Sequence, residues 1–370
     1  MNIRKSKSPI GLLFAGKLIE LSEQGRLPDS MVRYGIRRLC KKRLKDEFIG
    51  HPEHQQDRFQ TLIEELRCSP IAIETDAANE QHYEVATDFY LASLGKRLKY
   101  SCAYYPDSNT TLDQAEEEML ALYSQRAELG NDQKILELGC GWGSLTLWMA
   151  ENYPRSKITA VSNSSSQKSY IDHLCLKAGF NNVTVITADV NFLELESAQF
   201  DRVISIEMFE HMRNYRQLFE RISDWLTSEG KLFLHIFAHR NVMYPFDVKS
   251  EQDWMSKYFF TGGLMPSIDT LLHFQEQLKI ECRWLISGQH YEKTCNHWLE
   301  NTDNNKDRII DAFKENCTEQ EAKLWFHRWR IFYMSCAELF GLDNGRQWLV
   351  AHYLFSNSKG DTKKENLRKL

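Results

Sequence analysis

Short apolar runs alternate with amphipathic segments between residues 134 and 236. The apolar runs predict strands over 134–138, 157–161, 183–187, 202–206 and 231–236. The segments between them predict helices over 144–153, 165–178 and 215–227. Strands that alternate with helices of this length are typical of a parallel sheet with helices on both faces. The pattern therefore predicts an α/β fold with a Rossmann-like sheet.

The regions on either side have a different pattern. Residues 9–66 carry apolar side chains at helical spacing, which predicts helices. After residue 240 the alternation stops, and two late strands at 284–287 and 348–355 enclose a helix-rich, aromatic segment. We therefore predict three parts: an N-terminal helical region at 1–95, a domain at 96–358 with an inserted helical lid at about 240–345, and a basic tail at 359–370.

A glycine-rich turn ends the first predicted strand. Its glycines alternate with other residues, at Gly139, Gly141 and Gly143, and a helical pattern begins at Ser144. Glycine has no Cβ and lets the backbone approach a ligand closely, and the N-terminus of a helix offers unpaired N–H groups. The turn therefore predicts a site for a nucleotide or a nucleoside.

Two positions distinguish this turn from a dinucleotide site. The dinucleotide pattern needs its third glycine at position 144, where this chain has serine. It also needs an acid about twenty residues further on, where this chain has Ser162 and Asn163. A pyrophosphate ligand is therefore disfavoured. The alternative is a nucleoside that carries an amino acid, with Glu137 accepting a hydrogen bond from the ammonium group.

Polar side chains follow the predicted strands of the sheet. They are Glu137, Ser162, Asn163, Asp189, Glu207, Glu210, His211 and His235. Ligands of parallel sheets bind at the carboxyl ends of the strands. Because those ends meet at one edge of the sheet, we expect these residues to surround a single site.

Composition and charge exclude several classes of protein. The formal net charge of −5 over 370 residues gives no sign of a nucleic-acid partner. The nine cysteines show no metal-ligand spacing, so we predict no metal site and a reducing, cytoplasmic location. Basic clusters at 37–43 and 363–369 are typical of a solvated helix face and a chain terminus. No apolar run has the length of a transmembrane segment.

The glycine turn and several other motifs resemble a known family. The spacing from Glu137 to Gly143, with Asp189 after the third strand, resembles class I methyltransferases that use S-adenosylmethionine. Segments that resemble the cyclopropane fatty acid synthase family are YSCAYY at 100–105, FEH at 209–211, GGLMPS at 262–267, and HYEKT at 290–294 followed by Trp298. Stretches at 25–29, 206–215 and 329–352 resemble its amine-methylating branch, typified by plant coclaurine N-methyltransferase. The resemblance implies a seven-stranded methyltransferase sheet.

The resemblance also implies which residues bind the cofactor, S-adenosylmethionine. Tyr100 and Ser101 would contact its methionine part, and Asp189 would accept from the adenine amino group. Residues that would line the rest of its pocket and hold the ribose are Glu137, Gly139, Gly141, Gly143, Ser162, Asn163 and Gln167. No metal ion is implied.

Two branches of the family imply different catalytic groups. In the acyl-modifying members a bicarbonate ion serves as the base, held at positions that match Cys102, Glu210, His235, Phe237 and Tyr291. The family usually has isoleucine at position 237, where this chain has phenylalanine. In the amine-methylating members, the pair that matches Glu210 and His211 is credited with catalysis.

Position 207 separates the branches, since the acyl-modifying enzymes usually have glycine where this chain and the amine branch have glutamate. A carboxylate suits a cationic or proton-releasing substrate. We therefore predict N-methylation of a small, partly apolar amine, with Glu210 and His211 assisting deprotonation. The alternatives are a cyclopropane synthase or C-methyltransferase of lipid acyl chains, and a cofactor-binding scaffold without activity, although the acids of the site are all present. The sequence leaves peripheral membrane contact and the choice between monomer and homodimer open.

Overall fold

The computed structural model describes residues 9–48, 50–73, 87–248 and 253–358. The basic tail expected at 359–370 lies outside the described residues. The helices are α1 (Pro9–Glu23), α2 (Asp29–Glu47), α3 (Pro52–Cys68), α4 (Thr87–Ser93), α5 (Leu112–Arg126), α6 (Ser144–Asn152), α7 (Ser165–Ala178), α8 (Tyr215–Trp225), α9 (Trp254–Tyr258), α10 (Gly288–Asn304), α11 (Lys306–Lys314) and α12 (Glu319–Gly341). The strands are β1 (Lys134–Leu138), β2 (Lys157–Ser162), β3 (Val183–Thr187), β4 (Phe200–Ile206), β5 (Leu226–His239), β6 (Tyr244–Pro245), β7 (Leu264–Met265), β8 (Leu278–Ile286) and β9 (Trp348–Asn357).

Seven of these strands form one sheet in the order β3-β2-β1-β4-β5-β9-β8. Strands β1 to β5 are parallel to one another, whereas β9 is antiparallel to both β5 and β8. The strand order reverses at β1, and the carboxyl ends of β1 and β4 lie side by side there. The predicted seven-stranded α/β sheet is confirmed.

The two faces of the sheet carry separate hydrophobic cores. Successive residues of a strand point to opposite faces, and accordingly Ile135 packs in one cluster while Leu136 packs in the other. The cluster of Leu136 holds the apolar side of α8, including Leu218 and Ile222. The cluster of Ile135 extends into the helices that follow β8. Both faces are therefore covered, as the near-continuous apolar strands predict.

The helical lid consists of α10, α11 and α12, and we use the name for residues 288–341. Strand β8 lies within the range of about 240–345 in which the lid was expected, and it belongs to the main sheet. The long helix α12 packs on α1 and α2. Arg330 of α12 pairs with Asp29 (2.7 Å), and Glu338 pairs with Arg33 (3.0 Å). The N-terminal helices thus support the lid from outside, and the domain boundaries themselves stay predictions.

Two local elements differ from the sequence-based expectation. The polar and aromatic sequence at 80–105 has little helical periodicity and by itself predicts a loop. Its residues 87–93 nevertheless form α4, whose buried Phe89 and Tyr90 pack against the lid. Strand β5 starts at Leu226, directly after α8, rather than at residue 231. Its extension passes Gly230, where an added Cβ would lie 2.9 Å from the Leu226 side chain. Tertiary packing, not local periodicity, sets both boundaries.

Candidate active site at the carboxyl ends of the strands

Two adjoining cavities lie at the carboxyl ends of β1, β2 and β4. They enclose about 990 and 690 Å³ of empty space, part of which is open to solvent. Residues that line both are Gly139, Gly141, Gln167, Met208 and His211. The first cavity extends under the lid, and the second extends towards β3. The site expected at the strand ends is therefore one continuous depression with two compartments.

The three glycines of the turn after β1 all have positive φ, between 53° and 80°. An added Cβ on Gly139 would lie 2.9 Å from Met208, and one on Gly143 would lie 2.7 Å from Ile171. An added Cβ on Gly141 would meet no atom within 4 Å. Gly139 and Gly143 are thus required by packing, whereas Gly141 borders the space that a ligand would fill.

Glu137, on β1, is buried beneath this turn. Its Oε2 accepts a hydrogen bond from the hydroxyl of Thr146 at 2.5 Å. Burial raises the pKa of the carboxyl to about 8, although the bond from Thr146 lowers it. A cationic group in the first cavity, which Glu137 lines, would therefore stabilise the ionised form of this carboxyl.

The polar groups after β2 and β3 line the second cavity. The Ser162 hydroxyl donates to Gln167 Oε1 (2.7 Å) and accepts from the N–H of Ser164 (3.0 Å). Its proton is therefore already used in a hydrogen bond within the protein. Gln167 Nε2 is buried and makes no hydrogen bond to any residue that the structure describes. Asp189 lines the same cavity and accepts from the N–H of Asn191 at 2.7 Å. The Gln167 amide is thus an available donor for a polar ligand.

The residues expected to bind the cofactor are distributed between the two cavities. The first is lined by Tyr100, Ser101, Glu137, Gly139, Gly141 and Gln167, and the second by Gly139, Gly141, Ser162, Asn163, Gln167 and Asp189. Gly143 lies under the turn and lines neither cavity. Of the expected catalytic residues, Glu207, His211 and Tyr291 line the first cavity, whereas Cys102, Glu210 and His235 lie behind its wall.

Glu207 follows β4, and its carboxylate receives hydrogen bonds from three directions. Oε1 accepts from the N–H of Cys102 (3.0 Å) and lies 2.9 Å from His235 Nε2, while Oε2 accepts from the Tyr291 hydroxyl (2.6 Å). The backbone has φ 49°, a left-handed conformation that costs a residue with a Cβ about 1 kcal/mol or more. Burial raises the pKa of this carboxyl. The group is therefore fixed in position and accepts a proton more readily than an exposed glutamate.

Glu210 lies in the 3₁₀ turn after Glu207 and is completely buried. Its Oε1 accepts from the N–H of Phe237 at 2.6 Å, and its Oε2 has no hydrogen-bond partner among the described residues. Burial and then the charge of Glu207 raise the pKa of Glu210 well above its usual range. Burial therefore favours the protonated form of Glu210, and its Oε1 braces the end of β5 through the N–H of Phe237.

His211 faces both cavities, with its ring stacked 5.7 Å from that of Phe260. Burial lowers the pKa of His211 to about 4, and the Glu207 charge only partly opposes this. The imidazole is thus neutral at physiological pH. The structure brings His211 beside Glu207, and the expected acid–base pairing of Glu210 with His211 stays a prediction.

Cys102 contributes to the site through its backbone. Its thiol donates to the carbonyl of Ala103 (3.3 Å), and burial raises its pKa well above the usual value. The group is therefore a neutral thiol. Its N–H, in contrast, holds Glu207.

Sequence reasoning missed Lys99, whose ammonium is buried beside the first cavity. Its Nζ donates to Ser101 Oγ (2.5 Å) and to the carbonyl of Cys102 (2.7 Å), and it lies 5.0 Å from the centre of the Tyr123 ring. Burial lowers the pKa of Lys99 to about 8, while the charge of Glu207 raises it. A single lysine in an irregular segment has no periodicity that could have marked it. Its position fixes the segment that carries the Cys102 N–H.

Aromatic side chains form one wall of the first cavity. Tyr291, Trp298 and Phe332 come from the lid, Phe237 comes from β5, and Phe260 follows α9. Phe237 packs edge-to-face on Phe260 (5.7 Å), and Tyr291 stacks on Phe340 of the lid (4.4 Å). Such a lining accepts apolar groups and stabilises a cation through the faces of its rings.

The described residues contain no group of three His, Cys, Asp or Glu side chains arranged to hold a metal ion. None of the described helices is long and apolar enough to cross a bilayer.

Comparison with known proteins shows which family and relatives this chain is similar to. The model of the family described as mycolic acid cyclopropane synthetase matches residues 72–346. (S)-coclaurine N-methyltransferase of Thalictrum flavum subsp. glaucum is 36% identical over 92% of this chain and 95% of its own length. Cyclopropane-fatty-acyl-phospholipid synthase of Escherichia coli is 28% identical over 73% of this chain and 66% of its own length.

A solved structure shows the same architecture. The crystal structure of coclaurine N-methyltransferase bound to N-methylheliamine and SAH superposes with a TM-score of 0.88. Its sequence is 36% identical, and the match covers 92% of this chain and 99% of that one. The resemblance inferred from the short motifs thus extends over nearly the whole chain.

Proposed function

We propose that this chain, which belongs to the mycolic acid cyclopropane synthetase family, is an S-adenosylmethionine-dependent N-methyltransferase. Its acceptor would be a small, partly apolar amine. The observation that carries the proposal is the fixed carboxylate of Glu207 in a cavity with aromatic walls. An apolar amine needs both features, because its nitrogen is cationic when protonated and its carbon frame is not. Relatives of the coclaurine N-methyltransferase type support the same conclusion.

S-adenosylmethionine would supply the methyl group as a sulfonium, and the residues of the glycine turn fit it. Glu137 would pair with its ammonium group, which accounts for an ionisable carboxyl buried at that point. Gly141 leaves open space beside the turn, and the Gln167 amide offers an unused donor for the ribose. Asp189, in the second cavity, would accept from the adenine amino group.

The acceptor would lie in the first cavity, between Glu207 and the aromatic wall. Methyl transfer forms a nitrogen–carbon bond as the carbon–sulfur bond breaks, and sulfur keeps the electron pair, so the protein mainly has to position the reactants. The amine must lose its proton before or as it attacks. Glu207, with its raised pKa, and the neutral imidazole of His211 are the groups that can take this proton.

The geometry disfavours the bicarbonate-dependent alternative. Three of the positions that hold the ion in acyl-modifying members correspond to Cys102, His235 and Tyr291, and here these residues all contact the carboxylate of Glu207. A carboxylate attached to the chain thus occupies the place of the ion. We infer that the protein needs no bicarbonate, and that the glutamate both fills that place and receives the amine.

A labelled-transfer assay tests the proposal. Purified protein is incubated with methyl-labelled S-adenosylmethionine and either a panel of cyclic secondary amines or vesicles of unsaturated phospholipid, and products are identified by mass spectrometry. We expect transfer to amines only, unaffected by depletion of bicarbonate. Glu207→Gln should lower kcat by at least about tenfold, since one charged hydrogen-bonding group is lost. Glu196→Gln, a matched change at an exposed position, serves as the control. Transfer to lipid alone would refute the proposal.

A further inference from the structure

A row of hydrogen bonds runs from Glu207 through β5 and β9 to Arg126. His235 Nε2 lies 2.9 Å from Glu207 Oε1, and His352 Nε2 lies 2.9 Å from His235 Nδ1. Arg126 Nη1, at the end of α5, lies 2.8 Å from His352 Nδ1. Both imidazoles are completely buried. The reaction outlined above uses neither Arg126 nor His352.

Strand pairing aligns the members of this row. His235 of β5 is the direct partner of His352 of β9, and His352 is the direct partner of Trp284 of β8. The guanidinium of Arg126 lies 5.0 Å from the centre of the Trp284 ring. On the other side, the N–H of Glu207 donates to the carbonyl of His235 (2.9 Å). The positions of His235 and His352 in this row are therefore set by the strand pairing of the sheet.

The chemistry of arginine fixes the direction of each hydrogen bond. A guanidinium is always charged and can only donate, so His352 Nδ1 must accept and the proton of this imidazole lies on Nε2. That proton faces His235 Nδ1, which must accept in turn, so His235 also carries its proton on Nε2. His235 therefore donates to Glu207. One obligate donor at the far end sets both tautomers.

The groups that face the two imidazoles agree with this assignment. They are Lys99, Tyr123, Arg126 and Glu207. The Tyr123 hydroxyl also lies 2.9 Å from His235 Nδ1. This nitrogen has a single lone pair, so Tyr123 and His352 share it as an acceptor, and both donors require Nδ1 to be unprotonated. Burial and the two cations lower the pKa of both histidines well below the usual value, so neither is an imidazolium. Arg126 has no ion pair with a carboxylate in the part of the chain that the structure describes, and its charge is linked to Glu207 through the row.

We propose that Arg126 and His352 are positioning residues of this enzyme: Arg126 polarises the row and fixes its tautomers, so that His235 presents an N–H to Glu207 and orients the carboxylate towards the acceptor. A proton taken up by Glu207 cannot leave along the row, because Arg126 cannot accept one. It must leave through the cavity. The orientation of Glu207 towards an amine rests on the proposed N-methylation, whereas the assignment of the histidine tautomers is independent of it.

Nitrogen-15 NMR of histidine-labelled resting protein tests the tautomers without any substrate. Signals of His235 and His352 are assigned by comparison with His352→Gln and Arg126→Met. We expect both to be neutral with protonated Nε2, and we expect Arg126→Met to release His352 into a mixture of tautomers. Finding a proton on Nδ1 of His235 in the unchanged protein would overturn the assignment, whether or not amines are methylated.

Steady-state kinetics with the acceptor that the protein methylates tests the positioning role. His352→Gln keeps an acceptor for Arg126 and a donor for His235, whereas His352→Leu has neither. We expect the leucine variant to lose about tenfold or more in kcat, as for a lost hydrogen bond in a charged network, with the KM for S-adenosylmethionine unchanged. The glutamine variant should recover most of the rate.

Arg126→Met and Arg126→Lys form a second matched pair for the case in which a change of His352 prevents folding. We expect the pH dependence of kcat in the methionine variant to show an additional ionisation, because His235 and His352 can then be protonated. The lysine variant should show no such additional ionisation. Equal rates in leucine and glutamine variants, or an unchanged pH profile in Arg126→Met, would refute the role. Failure of amine methylation itself would instead refute the proposed function.

Discussion

Replacing Glu207 with glycine should create an anion site in place of the carboxylate. The change removes the acceptor of three donors, namely the N–H of Cys102, the imidazole of His235 and the hydroxyl of Tyr291. It also places glycine at a backbone position with φ 49°, where a Cβ is unfavourable. The variant would have the residue that the acyl-modifying enzymes usually carry at this position.

The expected loss of stability follows from these two effects. Each donor left without a partner costs about 1 kcal/mol, the lower end of the usual range, because water from the cavity can reach it. Relief of the left-handed conformation returns about 1 kcal/mol, so the net loss is about 2 kcal/mol. With an unfolding entropy of about 2.1 cal/mol/K per residue, this corresponds to a fall in Tm of about 3 °C for a chain of this length.

Thermal unfolding with added anions provides the assay. Formate or bicarbonate should bind between the three donors and restore most of the lost Tm, since an anion at a hundred times its Kd stabilises by about 2.7 kcal/mol. Chloride at equal ionic strength should not. Glu207→Gln is the matched control, because its amide fills the place and leaves no room for the anion. An equal response of Glu207→Gly to formate and chloride would show that the donors do not converge as described.

Two further predictions concern cofactor binding. Glu137 has a pKa of about 8, so about nine-tenths of it is protonated at pH 7, and pairing with the cofactor's ammonium should release nearly one proton per molecule bound. Calorimetry in buffers of different ionisation enthalpy measures this proton release, and Glu137→Gln should abolish it. The affinity for the cofactor should fall up to tenfold per pH unit below pH 8, because the protonated carboxyl must first lose its proton. An affinity that does not change with pH would contradict the argument. Gly141→Ala should weaken cofactor binding at least about tenfold with a small loss of Tm, whereas Gly143→Ala should mainly lower Tm, because its Cβ would meet Ile171 at 2.7 Å. Binding assays and thermal unfolding of both variants measure these effects. Equal losses of cofactor affinity in the two variants would show that Gly141 and Gly143 do not differ in this way.

Local sequence signals were sufficient to predict the parallel strands and the glycine turn of the site. The apolar runs identified β1 to β5, and glycine spacing identified the turn, because both features depend on neighbouring residues alone. The strand predicted at 284–287 overlaps the end of β8, but the first residues of β8, from Leu278, were not recognised as a strand. This edge strand is largely exposed, so its apolar pattern is weak, and its pairing with β9 depends on residues about 70 positions later.

The arrangement around Glu207 could not have been read from the sequence. The acid itself was identified, but its partners come from an irregular loop, from β5 and from the lid. Glu210 and His211 are adjacent in sequence, and only the tight turn that holds them shows that one is buried behind the cavity while the other faces it. Side-chain direction in such a turn has no sequence period. The cytoplasmic location and the choice between monomer and homodimer stay predictions.

The pairing of β5 with β9 has a consequence for the order in which the protein can be built. His235 and His352 are 117 residues apart in the chain, and the whole lid lies between them. The parallel strands β1 to β5 and the glycine turn leave the ribosome first and can assemble while the lid is still being synthesised. The row behind Glu207 cannot form until residue 352 has emerged and been inserted between two strands already made, a contact of high sequence separation and hence slow to form. A newly made chain should therefore acquire the capacity to bind its cofactor before the capacity to use it.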